Sequence, residues 1–188
     1  GWMATAGLNW LQTFEPLSRS FRVIAPDLRG HGRGLRSWKP FRLQDCADDA
    51  ADLLRGLGTG PVIAVGYSMG GAVAQLLWKK YPELVSGLVL CATGPSFLPA
   101  VPSRIALSTA LGALAGTTRL AQASTYVPRQ LWKTLFPDAA PSAPKGAPAW
   151  AWSELREHDL RMVLEAGVEI GLHSAWSWLP EIDVPTAV

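Results

Sequence analysis

The sequence predicts an α/β domain: a mostly parallel sheet with helices on both faces, carrying a helical insertion. Three observations predict it. Short β-branched runs alternate with amphipathic stretches through the first half of the 188 residues, the pattern of parallel strands joined by helices. One run, Val62-Ile63-Ala64-Val65, feeds directly into Gly66-Tyr67-Ser68-Met69-Gly70. Beyond about Gly94 the strand-like runs stop, and helix-compatible segments alternate with proline clusters as far as Trp176.

In chain order, residues 9–17 read as a short helix and 21–25 as a strand. Residues 43–57 are helical, with Cys46, Ala50, Leu53, Leu54 and Leu57 on one stripe and Asp45, Asp48, Asp49 and Asp52 largely outside it. Pro61 opens an uncharged strand. The helix after Ser68 runs to Tyr81, where Pro82 stops it. Residues 85–91 form the next strand. In the insertion, residues 103–123, 128–136 and 152–171 read as helices. The stretch 137–148 holds four prolines and reads as a loop or linker.

Gly-x-Ser-x-Gly between a strand and a helix is the sequence form of a nucleophile elbow, a strained turn that lifts a serine hydroxyl above the sheet. Gly66 and Gly70 lack a Cβ, so the backbone can reverse around Ser68 and the helix can pack close to the strand. Ser68 is then expected in an uncommon backbone conformation, a cost usually tolerated for function. It also falls at the carboxyl end of its strand, where ligands of parallel sheets bind.

A second motif lies upstream, in Pro26-Asp27-Leu28-Arg29-Gly30-His31-Gly32. Together with the elbow it resembles the α/β-hydrolase family of serine type with a helical cap. The resemblance implies that Gly1-Trp2-Met3 is the tail of the family's His-Gly-x segment. On that alignment the backbone N–H groups of Trp2 and Met69 form the oxyanion hole. Residues 181–188 look like the start of the strand preceding the family's acid. The chain then reads as an internal fragment with core at 1–93, cap at 94–178 and a return to the core at 179–188. The catalytic acid and histidine are expected beyond residue 188, and the fragment alone is expected to be inactive.

The three histidines do not fit the family order of serine, acid, histidine. His31 is read as organising its turn, and His158 as lying on a solvated face beside Glu154 and Glu157. His173 precedes the final strand. Asp27 is read as bracing its loop, and Asp183 as a strand-entry residue. The resemblance implies a carboxylesterase of small or medium apolar esters working through an acyl-enzyme, with no cofactor and no metal. The same elbow serves thioesterases, carbon–carbon bond hydrolases, perhydrolases and acyltransferases. A non-catalytic small-molecule-binding relative is the alternative from another class. Serine in place of an aspartate nucleophile disfavours epoxide hydrolysis and dehalogenation.

Composition agrees with a packed enzyme core. Hydrophobic residues make up 48% and charged ones 17%, ample for burial. A net charge of +2 is too small to argue for a nucleic-acid partner or an anionic membrane surface, and neither is expected. The longest apolar stretch, 105–115, is well short of the ~20 residues of a membrane span. The expected partner is a small apolar ester, and the expected location cytoplasmic. Cys46 and Cys91 read as reduced core thiols. Of nine tryptophans, Trp132, Trp150, Trp152, Trp176 and Trp178 belong to the insertion or its hinge. Packing of insertion on core is favoured for them over a pocket lining.

Overall fold

The computed structural model of the chain describes residues 1–98, 101–123, 149–150, 154 and 157–188. The helix expected at 128–136, the loop at 137–148, and Trp132 and Trp152 lie outside the described residues.

Helix α1 (Ala6–Ser18) starts where the Thr5 hydroxyl accepts the Leu8 N–H at 3.1 Å, the usual capping of an orphan donor. Helix α2 (Leu43–Gly56) buries Leu43, Cys46, Ala47, Ala51 and Leu54. Strand β1 (Val62–Tyr67) leads into α3 (Met69–Lys80), and a single turn at Pro82–Leu84 delivers β2 (Val85–Cys91). The chain returns to the sheet as β3 (Thr186–Ala187), parallel to β2, giving the order β1-β2-β3 with every pair parallel. Pleating sends alternate residues to opposite faces. Ala64 and Gly66 therefore face α3 and are buried, while Ile63, Val65 and Tyr67 face the other way and are exposed. Nearly every side of α3 is buried, because it packs on both strands and on α2.

The strand expected at 21–25 is absent. Among the described residues no strand lies beside this stretch, and β1 ends the sheet. Strand-like composition without a ladder partner does not make a strand.

In the insertion, α4 (Val101–Ala123) packs against α5 (Leu160–Leu172). Arg104 donates to the His173 carbonyl (2.6 Å), Ser108 to that of Val168 (3.3 Å), and Arg119 to Glu165 (2.7 Å). The partners run in opposite order, so the helices are antiparallel. The helix expected over 152–171 is interrupted at 157–159. Asp159 explains the break. Its backbone N–H donates to the Gly30 carbonyl (2.8 Å), and its carboxylate caps Met162 N–H (3.0 Å). That residue is therefore extended, and a new helix starts after it.

Helix α5 also ties the insertion to the core. Glu165 accepts Arg161 (2.9 Å) and the Phe41 N–H (2.8 Å), and Glu169 accepts the Leu43 N–H (3.0 Å). Burial favours the neutral form of Glu165, but hydrogen bonds from Arg119, Phe41 and Arg161 outweigh it and lower the pKa. In Glu169 burial dominates, and the pKa rises. Asp45, expected outside the α2 stripe, is buried. It and Asp49 hold the Arg29 guanidinium, which fixes the 27–36 loop against α2.

Candidate active site

Ser68 sits alone between the last residue of β1 and the first of α3, with φ 51° and ψ −121°. Non-glycine residues rarely adopt such angles, at a cost of about 1–3 kcal/mol. Its N–H donates to the Cys91 carbonyl at the end of β2 (2.9 Å), and its carbonyl accepts the Gly71 N–H (2.8 Å). Both hydrogen bonds hold the turn from main chain alone, and among the described residues none bonds the hydroxyl. Met69 is fully buried and is the first residue of α3. Its N–H therefore has no acceptor within the helix and lies at the positive end of the helix dipole.

The glycines divide the work differently from the sequence expectation. A Cβ on Gly66 would lie 2.5 Å from the Gly70 carbonyl carbon and from Gly71 Cα, both main-chain atoms. A Cβ on Gly70 would meet nothing within 4 Å. The second close approach belongs to Gly71, where a Cβ would lie 2.6 Å from Thr93 Cβ. The doubled glycine in Gly70-Gly71 was the available signal, since a motif of alternate positions passes over its second member.

The turn Gly1–Met3 lies beside the elbow. An ideal Cβ on Gly1 would stand 3.2 Å from the Tyr67 ring, one residue before Ser68. Met3 has φ 59°, so the turn is tight. Trp2 is half-buried, and its indole N–H donates to the Val163 carbonyl of α5 (2.8 Å). Nothing in the local sequence signals that bond.

Asp27 braces its loop, as expected. One carboxylate oxygen accepts the Ala6 N–H at the start of α1 (2.7 Å), and the other accepts the Arg33 N–H (2.9 Å). Asp183 accepts the Trp78 indole (3.2 Å) just before β3. Cys46 is buried and Cys91 half-buried, and both are free thiols. Trp178 joins the core with Lys79 stacked on it, Trp150 packs near Gly7, and Trp176 is exposed.

Among the described residues no histidine hydrogen-bonds the Ser68 hydroxyl. His31 Nδ1 lies 3.0 Å from the Arg29 carbonyl, so it organises the turn. His158 is not on a solvated face. Its ring stands edge-on to His31 at 5.4 Å, and its Nδ1 meets the Glu154 carbonyl at 3.1 Å. Glu154 beside it is itself only 4% exposed and pairs with Arg33, whereas Glu157 is exposed. His173 is buried beside Phe97, and burial, then Arg104, lowers its pKa. The described residues contain no cluster of three or more metal-binding side chains. None of their helices is long and apolar enough to cross a membrane.

His31 makes stability depend on pH. It is fully buried, and burial lowers its pKa from 6.5 to about 4. Between those values the unfolded chain binds a proton that the folded chain refuses. Stability is complete above pH 6.5 and declines as the pH falls toward 4, by about 3 kcal/mol from this group. Urea midpoints measured across that window should slope steeply in the parent and less in His31→Asn. Equal slopes would assign the acid sensitivity to other groups.

The sequence pattern of the alpha/beta hydrolase fold matches residues 1–129. A proline iminopeptidase of Pestalotiopsis fici is 41% identical over 88 residues, covering 45% of this chain and 31% of that protein. A bifunctional esterase/perhydrolase of Acinetobacter calcoaceticus is 35% identical over 83 residues, covering 44% of this chain and 30% of that protein. The chain thus matches about a third of the length of these relatives. A thermophilic esterase from Thermogutta terrifontis superposes with a TM-score of 0.70 at 24% identity, over 99% of this chain and 66% of that one. That likeness shows the fold.

Proposed function

The chain belongs to the α/β-hydrolase fold family, and on that premise we propose that the protein is a serine-nucleophile hydrolase, a carboxylesterase of small or medium apolar esters. The observation that carries the reading is a serine held at φ 51° on the strand-to-helix turn. A glycine would adopt that conformation without strain, so the hydroxyl is the reason to keep a serine there.

The reaction proceeds in two halves. Ser68 Oγ attacks the ester carbonyl carbon while its proton passes to a base. The tetrahedral oxyanion is stabilised by the N–H groups of Met69 and Trp2. It collapses to an acyl-enzyme as the ester C–O bond breaks and the protonated base gives its proton to the leaving alcohol. Water then attacks the acyl carbon, and the acid leaves with Ser68 restored. The reading assigns the base, a histidine, and its acid partner to the protein outside residues 1–188. The insertion, with α4 and α5, acts as the cap that excludes water. The esterase/perhydrolase relative supports ester chemistry. Two unpaired cysteines fit a reducing, cytoplasmic setting.

Fluorophosphonate labelling of the complete gene product, read by intact mass, tests this. One adduct on the wild type and none on Ser68→Ala is the expected result. No adduct on a folded wild type would overturn the hydrolase reading and favour a protein that binds small molecules without turning them over.

A further inference from the structure

We propose that α5 positions the oxyanion turn, with Gly167 and the Val163 carbonyl acting as positioning residues for Trp2. The proposal rests on the serine-hydrolase reading and adds a role for a helix far from Ser68 in sequence.

Two contacts from Trp2 converge on one turn of α5. The indole N–H donates to the Val163 carbonyl at 2.8 Å. That carbonyl precedes Gly167 by four residues, so within the helix it also accepts the Gly167 N–H. A carbonyl oxygen has two lone pairs and can serve both donors. Side chains on a helix lean toward its N-terminus and lie over the preceding turn. Any side chain at 167 would therefore cover the carbonyl that Trp2 reaches. The distances agree. An ideal Cβ at Gly167 would stand 2.7 Å from Trp2 Cζ2, 3.3 Å from Trp2 Cε2 and 2.6 Å from Leu111 Cδ1. The Leu111 methyl can rotate away. The indole is rigid and can yield only by moving off the Val163 carbonyl.

Such a displacement reaches the chemistry because the turn has little slack. Met3 follows Trp2 at φ 59°, and Gly1 precedes it against Tyr67. A shifted ring therefore drags the Trp2 main chain, whose N–H must point at the developing oxyanion. Oxyanion donors act at about 2.7–3.1 Å from that oxygen, and a misplacement of about 1 Å can lower the rate roughly a hundredfold.

The test is a double-variant cycle on the complete gene product, with p-nitrophenyl acetate as the probe. Gly167→Ala should lower kcat by about 10- to 100-fold and leave KM nearly unchanged. Trp2→Phe keeps the backbone N–H but removes the indole donor, and should lower kcat at least about tenfold. With Phe in place of the indole, Gly167→Ala should have almost no further effect on kcat, because the clash and the bond are both gone. An unchanged kcat in Gly167→Ala, or losses that multiply across the cycle, would overturn the proposal. If Gly167→Ala does not fold, Trp2→Phe decides alone: an unchanged kcat overturns the positioning role. Wild type that labels with fluorophosphonate keeps the hydrolase reading whatever the variants do. Wild type that neither labels nor turns over ends both.

Discussion

Ser68→Gly is expected to abolish turnover and to stabilise the fold, two effects of opposite sign at one residue. Loss of the nucleophile in a serine hydrolase lowers kcat by about a millionfold. Stability should move the other way. At φ 51° and ψ −121° a side chain is strained, by about 1–3 kcal/mol. Glycine relieves that strain but has more freedom to lose on folding, roughly 0.5–1 kcal/mol. A net gain of about 1 kcal/mol remains. Both backbone hydrogen bonds of residue 68, to Cys91 and from Gly71, survive the change. Ester hydrolysis and urea unfolding of the same preparations read the two effects. A lower urea midpoint in Ser68→Gly would mean that the elbow is not strained. Retained turnover would mean that another group is the nucleophile.

Gly66→Ala should destabilise the fold by about 3 kcal/mol or more, whereas Gly70→Ala should change it by less than about 1 kcal/mol. The contrast follows from what each new methyl would meet. At Gly66 it would run into main-chain atoms of Gly70 and Gly71, which can retreat only if α3 lifts from β1. No rotamer change relieves that overlap. At Gly70 the space is open, and alanine in the first turn of a helix loses nothing. Thermal or urea midpoints of the two variants, measured together, decide it. Equal losses would show that the motif's spacing, and not the closeness of α3 to β1, governs the elbow. Activity of the surviving variant adds a check, since a lifted α3 would also move the Met69 N–H.

Features carried by neighbouring residues were legible in the sequence. The uncharged run before Gly66, the serine between glycines and Pro82 after Tyr81 placed β1, the elbow and the end of α3. The parallel return at Thr186–Ala187 agrees with the strand expected from residues 181–188. Asp27, outside the family's order of serine, acid and histidine, was legible as a loop brace. Three readings failed where the deciding partner was remote. Residues 21–25 had strand composition but no neighbour to pair with. Asp45 lies outside the apolar stripe in sequence but is buried against Arg29. His158 follows two glutamates in sequence, yet its ring stands edge-on to His31.

The sequence by itself determined the order of β1, α3 and β2 and the identity and backbone class of Ser68. A Cβ-free position, a β-branched run and a helix stop all act within a few residues. Only the tertiary structure decided which polar groups are buried and what α5 touches. Trp2 and Val163 are 161 residues apart, and Phe41 and Glu165 are 124 apart. No local propensity encodes a contact across such distances. It exists because packing α5 on the core buries the indole N–H, the helix carbonyl and the carboxylate together, and each buried polar group must then find a partner.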